Sequence, residues 1–198
     1  GSWSGIVDVE AGWGVTLGLK ADGTVLVTGD ISHHNEFYDD TEWKSKVEGW
    51  TDIVQVSVGW GPIAGLKHDG TVVIAGYSPD EAFYDTEGWT DIININMGDN
   101  LIALKADGTV CLAGSSTFEG IDGIGTWTGI GPYNPNPSTP DSQARQAIGS
   151  IAAGDFYSVV LKSDGTVVAV GLNNWRQCKV GSWKDIVAVA SGGCLTGG

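Results

Sequence analysis

One phrase recurs four times along this chain: Leu-Lys, one variable residue, and then Asp-Gly-Thr-Val. Each copy follows a short aliphatic segment and a glycine, and each leads into alternating valines that end on another glycine. The copies occupy 19–25, 66–72, 104–110 and 161–167. A repeat of roughly 40–50 residues is typical of propellers and solenoids, in which a unit buries its apolar face only against its neighbours. The recurrence therefore predicts a repeat architecture.

Each unit reads as three to four short antiparallel strands. The opening strands are rich in β-branched residues, which favour a packed strand, and they begin at Ile6, Ile53, Ile92 and Ile148. Asp-Gly between two apolar runs is a strong signal for a tight hairpin. A tryptophan precedes the next opening strand at Trp50, Trp89 and Trp183. Because no helical periodicity interrupts this pattern, the units are typical of propeller blades.

We therefore expect an all-β chain that forms a β-propeller of about four antiparallel blades, plus a surplus C-terminal strand. The predicted units are 3–49, 50–88, 89–126 and 147–182, with a partial fifth at 183–198. Residues 131–146 hold four of the six prolines, which predicts an inserted, extended loop within this single repeat domain. The fifth unit opens with an aliphatic strand over 186–192, and no hairpin is predicted after it.

The fourth unit carries the clearest family resemblance. Its segments 151–154, 161–167 and 171–174 read Ile-Ala-Ala-Gly, Leu-Lys-Ser-Asp-Gly-Thr-Val and Gly-Leu-Asn-Asn. This succession resembles the repeat of the regulator of chromosome condensation family, and the resemblance extends over most of 3–192. It implies a β-propeller that presents loops to partners.

The chain also departs from that family. Its well-studied members close seven blades, whereas four full units are recognisable here. The histidine that often follows Ala-Gly in the repeat is replaced by Val15, Pro62 and Tyr157. One family member acts as a nucleotide exchange factor on a small GTPase and binds chromatin, but no residues of this chain can be assigned those activities.

Charge and composition limit the classes of partner that the chain can bind. With 10 basic and 24 acidic residues, the net charge is −14, which repels nucleic acid. No apolar run is long enough for a membrane span.

The three cysteines lack metal-like spacing. Cys111 is expected to be a small buried hydrophobic residue, and Cys178 and Cys194 can form a disulfide in an oxidising compartment. No metal and no cofactor are expected.

The candidate ligand site lies on the loops that follow the opening strands, because equivalent loops of successive blades meet around a propeller axis. Exposed aromatic and polar side chains there can stack on sugars or anchor a peptide. The alternative is that the tryptophans pack between blades. The candidate residues are Trp13, Trp60, Asp99, Asn100, Asp155, Phe156 and Tyr157.

The surplus strand has three possible explanations. The chain is part of a longer propeller, or it is a four-bladed ring with an extra strand, or the strand pairs with another chain, since an unpaired edge invites strand addition. In the last case the assembly strand contains Ile186, Val187, Ala188 and Val189, and the chain forms a homo-oligomer or polymer.

The sequence favours a non-enzymatic binding and interaction module, exported or displayed on a cell surface, with a protein or glycan ligand. Nucleophile elbows, phosphate-binding loops and zinc-protease motifs are missing from the sequence, so we do not expect an enzyme. Two alternatives belong to other classes: a lectin that uses the rim aromatics, and a structural subunit that self-assembles through the surplus strand.

Overall fold

The computed structural model describes residues 3–12, 14–30, 40–77, 83–114, 127–131, 150–192 and 195–197. Within these ranges the chain forms four successive three-stranded antiparallel sheets and one two-stranded sheet. In each three-stranded sheet the strands follow chain order, with the opening strand at one edge. The predicted all-β propeller of about four blades is confirmed.

The blades are numbered in chain order. The first contains β1 (Ile6–Gly12), β2 (Val15–Lys20) and β3 (Val25–Gly29). The second contains β4 (Ile53–Val58), β5 (Pro62–Lys67) and β6 (Val72–Gly76). The third contains β7 (Ile92–Met97), β8 (Leu101–Lys105) and β9 (Val110–Ala113). The fourth contains β10 (Ile151–Gly154), β11 (Tyr157–Leu161) and β12 (Val167–Gly171), and β13 (Ala190–Gly192) and β14 (Leu195–Gly197) follow.

The core lies between blades. Leu17 and Leu19 of β2 belong to the same buried cluster as Ile53 and Val56 of β4, and equivalent clusters join each later blade to the next. The opening strands β1, β4, β7, β10 and β13 pack in series. Each sheet therefore buries both faces only when neighbouring sheets are present, as the repeat period predicts.

A recurring hydrogen bond fixes each blade to the one before it. The glycine of every Asp-Gly turn accepts a bond from the backbone N–H of the isoleucine that opens the next unit. The four distances are 3.0 or 3.1 Å, for Ile53 to Gly23, Ile92 to Gly70, Ile130 to Gly108 and Ile186 to Gly165. The turn that closes a hairpin thus also sets the position of the following blade.

The proline-rich insertion interrupts the fourth blade rather than separating two blades. Ile130 forms an antiparallel bridge with Lys162, as Ile53 does with Lys67. The blade therefore begins before the predicted start at 147, and its first strand resumes at Ile151. In β1, β4 and β7 the register shifts at the corresponding point. An insertion is tolerated there because a bulge already interrupts the ladder. The predicted loop itself lies mostly outside the described residues.

The C-terminal strand is present but differs from the prediction. It begins at Ala190 rather than Ile186 and pairs with β14 in a hairpin, so the expectation that no hairpin follows was wrong. The predicted assembly segment, Ile186 to Val189, forms no strand. Val189 is buried against the fourth blade, and the Ile186 N–H bonds to the Gly165 carbonyl. Within the segment, the Ile186 N–H and the Val189 side chain are thus used inside the chain, whereas Val187 and Ala188 are exposed.

One helix was not predicted. α1 (Asp40–Glu48) packs against β3 and β6. It buries Trp43 and Val47, which are one helical turn apart, in the cluster between the first two blades. Two apolar side chains in nine residues give too weak a periodicity to be recognised in the sequence.

Candidate functional site

Glycines end the opening strands and allow the blades to converge. A Cβ atom at Gly98 would lie 2.5 Å from the Gly154 carbonyl oxygen, and one at Gly59 would collide with the Gly98 carbonyl. Gly12 meets the Val58 side chain in the same way. These contacts explain the glycine at the end of β1 and directly after β4 and β7: a Cβ atom there would collide with the next blade.

A cleft of about 300 Å³ lies where these strand ends converge. All five opening strands contribute to its wall, together with the turn residues Trp60 and Asp155. Glu10, Asn96 and Ser191 supply polar groups from β1, β7 and β13. The cleft is thus a product of the whole array, and no single repeat could form it.

The cleft carries uncompensated negative charge. Glu10 is half-buried, and burial followed by the neighbouring Asp8 carboxylate raises its pKa. Burial and then the charge of Asp155 raise the pKa of Asp99. Among the described residues, no lysine, arginine or histidine lines the cleft. A cation entering it would relieve this repulsion.

Trp60 provides the aromatic surface of the site. It occupies the turn between β4 and β5, and 47% of its surface is exposed. Gly61 follows with φ 118°, which lets the tight turn project the indole at the cleft. An indole face beside carboxylates can hold a cation or an apolar ring.

The turns of the third and fourth blades are joined beside the cleft. The Tyr84 hydroxyl donates to the Asp99 carbonyl at 2.9 Å, and the Asp99 carboxylate accepts from the Phe156 N–H at 3.2 Å. Phe156 has φ 59° and is 41% exposed. A bulky residue with this backbone conformation is strained, and such strain concentrates at functional sites.

The structure brings together some of the predicted site residues and separates others. Trp60 and Asp155 line the cleft, and Asp99 and Phe156 lie beside it. Asn100 and Tyr157 are buried, at 4% and 2% exposure. Their side chains pack within the blades instead of facing a ligand. Trp13 lies outside the described residues.

Sequence reasoning missed the contribution of Glu10. Glu10 lies two residues before Gly12, and Ser57 and Asn96 lie two residues before the equivalent glycines of the second and third blades. An acid among small polar residues at one repeat position is a usable signal once the repeats are aligned. It was overlooked because the predicted site was confined to the turns.

The described residues contain no group of three or more His, Cys, Asp or Glu side chains that could hold a metal ion. Cys111 and Cys178 are free thiols, and burial raises the pKa of both. Cys194, with which Cys178 could form a disulfide in an oxidising compartment, is outside the described residues. No helix in the described ranges is long and apolar enough to cross a membrane.

Solved structures share this fold at low sequence identity. The yeast RCC1 protein Prp20p from Saccharomyces cerevisiae, reported with its binding properties to Gsp1p and histones, is 17% identical, with a TM-score of 0.59 over 95% of this chain and 54% of Prp20p. Human WBSCR16 is 16% identical, with a TM-score of 0.59 over 98% of this chain and 57% of that protein. The CRINKLY WD40 ectodomain of the Arabidopsis thaliana receptor kinase ACR4 is 14% identical, with a TM-score of 0.54 over 84% and 51%.

The chain thus spans about half the length of these solved structures. A search of curated proteins finds no matching sequence. Residues 149–174 match the regulator of chromosome condensation (RCC1) repeat, and they contain the three segments with the clearest sequence resemblance. The chain is therefore a β-propeller that contains a repeat similar to the RCC1 repeat.

Proposed function

We propose that the chain is a non-enzymatic protein-interaction module. It binds a basic side chain of its partner in the cleft at the ends of the opening strands, which we call the axial cleft. The observation that carries this proposal is the combination, in one cleft, of the half-exposed Trp60 and the uncompensated acids Glu10 and Asp155. Aromatic residues that combine an apolar face with limited flexibility are frequent anchors of protein interfaces.

The electrostatics favour a cationic anchor. Burial, followed by the neighbouring acids Asp8 and Asp155, raises the pKa values of Glu10 in the cleft and of Asp99 beside it. A guanidinium or ammonium group between them and the Trp60 ring would combine ion pairing with a cation–π contact. The net charge of −14 would also accelerate the approach of a basic partner.

The structural relatives support a protein as the ligand class. Prp20p is described as binding Gsp1p and histones. Prp20p is only 17% identical to this chain, and the chain covers about half of its length. The comparison therefore supports a protein partner and nothing more specific. The choice of a basic anchor comes from the cleft residues.

The test uses two tripeptides, Gly-Arg-Gly and Gly-citrulline-Gly, titrated into the chain by calorimetry. Citrulline has nearly the same shape as arginine but no charge. We expect the arginine peptide to bind and the citrulline peptide to bind much more weakly. Trp60→Ala and Glu10→Gln should each weaken arginine binding, whereas Trp175→Ala should not, since Trp175 is 73% exposed and does not line the cleft.

Equal binding of both peptides, or binding that Trp60→Ala leaves unchanged, would contradict the proposal.

The second candidate is glycan binding, which Trp60 beside carboxylates also favours, because indole rings stack on sugar faces. Selective binding in a glycan panel, lost in Trp60→Ala and accompanied by no arginine binding, would establish the glycan candidate instead.

A further inference from the structure

A row of exposed aliphatic side chains recurs at one repeat position. The residue directly after Ile6, Ile53, Ile92 and Ile186 is β-branched and faces solvent, whereas Gly131 follows Ile130 in the fourth blade. The exposed fractions are 63%, 48%, 47% and 64%, for Val7, Val54, Ile93 and Val187. We call these four residues the aliphatic row. Single exposed aliphatics need no explanation, but the same exposure in four repeats is a property of the surface.

The local geometry explains this exposure. In β1, β4 and β7 the residue lies where the register with the next strand shifts, after Ile6, Ile53 and Ile92. A bulged residue is left out of the ladder and re-aimed away from the sheet. The neighbouring isoleucines Ile53 and Ile92 are buried, at 3% and 4%, so the bulge turns one β-branched residue of each pair outward.

The aliphatic row lies at the opposite end of the propeller from the cleft. Val7, Val54 and Ile93 lie near the start of β1, β4 and β7, whereas the cleft lies at the other ends of these strands. Because these three strands pack in series, the three side chains follow one another from blade to blade. Val187 lies in the segment that precedes β13, and the fourth blade contributes no member. No member of the row lines the cleft.

Acidic residues flank the row. Asp52 and Asp91 are exposed and directly precede the opening isoleucines. The bonds from Ile53 to Gly23 and from Ile92 to Gly70 bring the preceding Asp-Gly turns next to them. The turn carboxylate Asp69 accepts bonds from the Thr71 N–H and hydroxyl, at 3.0 and 2.6 Å.

These bonds keep the turn acids ionised. The Thr71 hydroxyl and N–H lower the pKa of Asp69, and the same arrangement with Thr24 lowers the pKa of Asp22. Each of the first two junctions has two aspartates and one lysine of the repeat: Asp22 and Asp52 at the first, and Asp69 and Asp91 at the second. The lysines are Lys20 and Lys67, and His68 follows Lys67. At the last junction Lys184 offsets Asp185, so the acidic character is strongest between the first three blades.

The flanking aspartates are retained at a conformational cost. Asp52 and Asp91 have φ values of 61° and 60°, and the equivalent residues of the first and fourth blades are Gly5 and Gly129, with 71° and 69°. Glycine adopts this conformation without steric penalty. Aspartate tolerates this conformation better than most residues, and it places a carboxylate beside the row where the first and fourth blades have glycine.

We propose that the aliphatic row docks a segment of a partner protein whose apolar side chains alternate with lysine or arginine. The charge complementarity selects this occupant: an apolar strip bordered by ionised acids matches apolar residues bordered by basic ones. The surface is separate from the axial cleft, and this inference does not depend on what the cleft binds.

The test uses two synthetic peptides, one of repeated Lys-Val-Gly and one of repeated Glu-Val-Gly, titrated into the full chain by calorimetry. We expect the lysine peptide to bind and the glutamate peptide not to bind. The double variant Val54→Thr, Ile93→Thr keeps β-branched side chains while removing their apolar character, and it should weaken binding by about tenfold. The double variant Asp52→Asn, Asp91→Asn keeps a residue that tolerates positive φ, and it should weaken binding and reduce its salt dependence.

These peptide titrations and the double variants use Trp60→Ala as the background, because this substitution removes the contribution of the cleft and leaves the aliphatic row intact. Circular dichroism and thermal unfolding show that the variants remain folded. Equal binding of the two peptides, no binding, or full binding by both double variants would overturn the proposal. A concentration-dependent doubling of molar mass that Val54→Thr, Ile93→Thr abolishes would also overturn it, because the row would then cover a second copy of the chain.

Discussion

The side-chain amide of Gln55 pairs with both backbone polar groups of Ile95 in the next blade. Its oxygen accepts from the Ile95 N–H at 3.0 Å, and its nitrogen donates to the Ile95 carbonyl at 2.9 Å. The same nitrogen is 2.9 Å from the Asn94 side-chain oxygen. Adjacent opening strands are therefore joined through side chains that replace the missing backbone ladder, and Ser57 to Met97 and Asn96 to Ala153 repeat this device.

Replacing Gln55 by alanine should destabilise the fold by about 1–3 kcal/mol, because the buried Ile95 N–H and carbonyl lose their partner. Denaturant unfolding measures the change. Val54→Ala is the matched control, since Val54 is the exposed neighbour in the same strand. If the two variants lost equal stability, the amide pairing would not be what joins these blades.

Gly98→Ala should cost about 1–3 kcal/mol, because the new methyl group would lie 2.5 Å from the Gly154 carbonyl oxygen. Gly181→Ala should be nearly neutral, because a Cβ there meets no atom within 4 Å. Thermal unfolding of both variants compares the two positions. A neutral Gly98→Ala would mean that the strand ends can separate without loss, contrary to a tightly converged cleft.

Phe156→Gly should leave stability unchanged or raise it by up to about 1 kcal/mol, because glycine removes the strain of φ 59° while losing more chain entropy on folding. The same variant should weaken binding of Gly-Arg-Gly if the exposed ring contributes to the ligand site. Unfolding and titration are measured on the same sample. A large loss of stability would show that the ring is a structural contact.

Glu10→Gln should stabilise the chain at neutral pH but not under acidic conditions. The folded-state pKa of Glu10 is raised by burial and by Asp8, so the folded state binds this proton more tightly than the unfolded chain does. Stability is therefore highest when Glu10 is protonated, and it falls as pH rises through the raised pKa. Glutamine does not ionise, so the Glu10→Gln variant does not lose this stability as the pH rises.

Unfolding curves of wild type and Glu10→Gln at pH 7 and near pH 4 test the expectation. The exposed Glu87→Gln is the control and should show no comparable difference between the two conditions. A stabilisation by Glu10→Gln that is equal at both pH values would rule out deprotonation of Glu10 as the cause.

The sequence was informative wherever the signal is local. Asp69-Gly70 sets a turn through its own backbone and Thr71, and the valines after it alternate within one strand, so the hairpins and the blade count were predictable. Helix α1 was not predicted, because only Trp43 and Val47 mark its buried face. The start of the fourth blade at Ile130 was missed because its strand resumes only after the insertion.

The candidate site was only partly predictable, because most of its residues come together through contacts between blades. Trp60 was recognisable as an aromatic residue in a turn, but Glu10 becomes a site residue only when β1 lies beside the ends of four other strands. Asn100 and Tyr157 were assigned to the same turns, yet they lie two and three residues after the glycine, and both are buried. Tyr157 begins β11 at the position of Val15 in β2, which is buried as well.

By itself the sequence determined the repeat, the Asp-Gly hairpins and the all-β propeller class, because turn chemistry and strand alternation act within a few residues. The tertiary structure alone decided which side chains join the blades, where the cleft forms and which aliphatic residues remain exposed. Those features depend on contacts such as Gln55 to Ile95, between residues 40 positions apart, which come about only when one blade packs against the next.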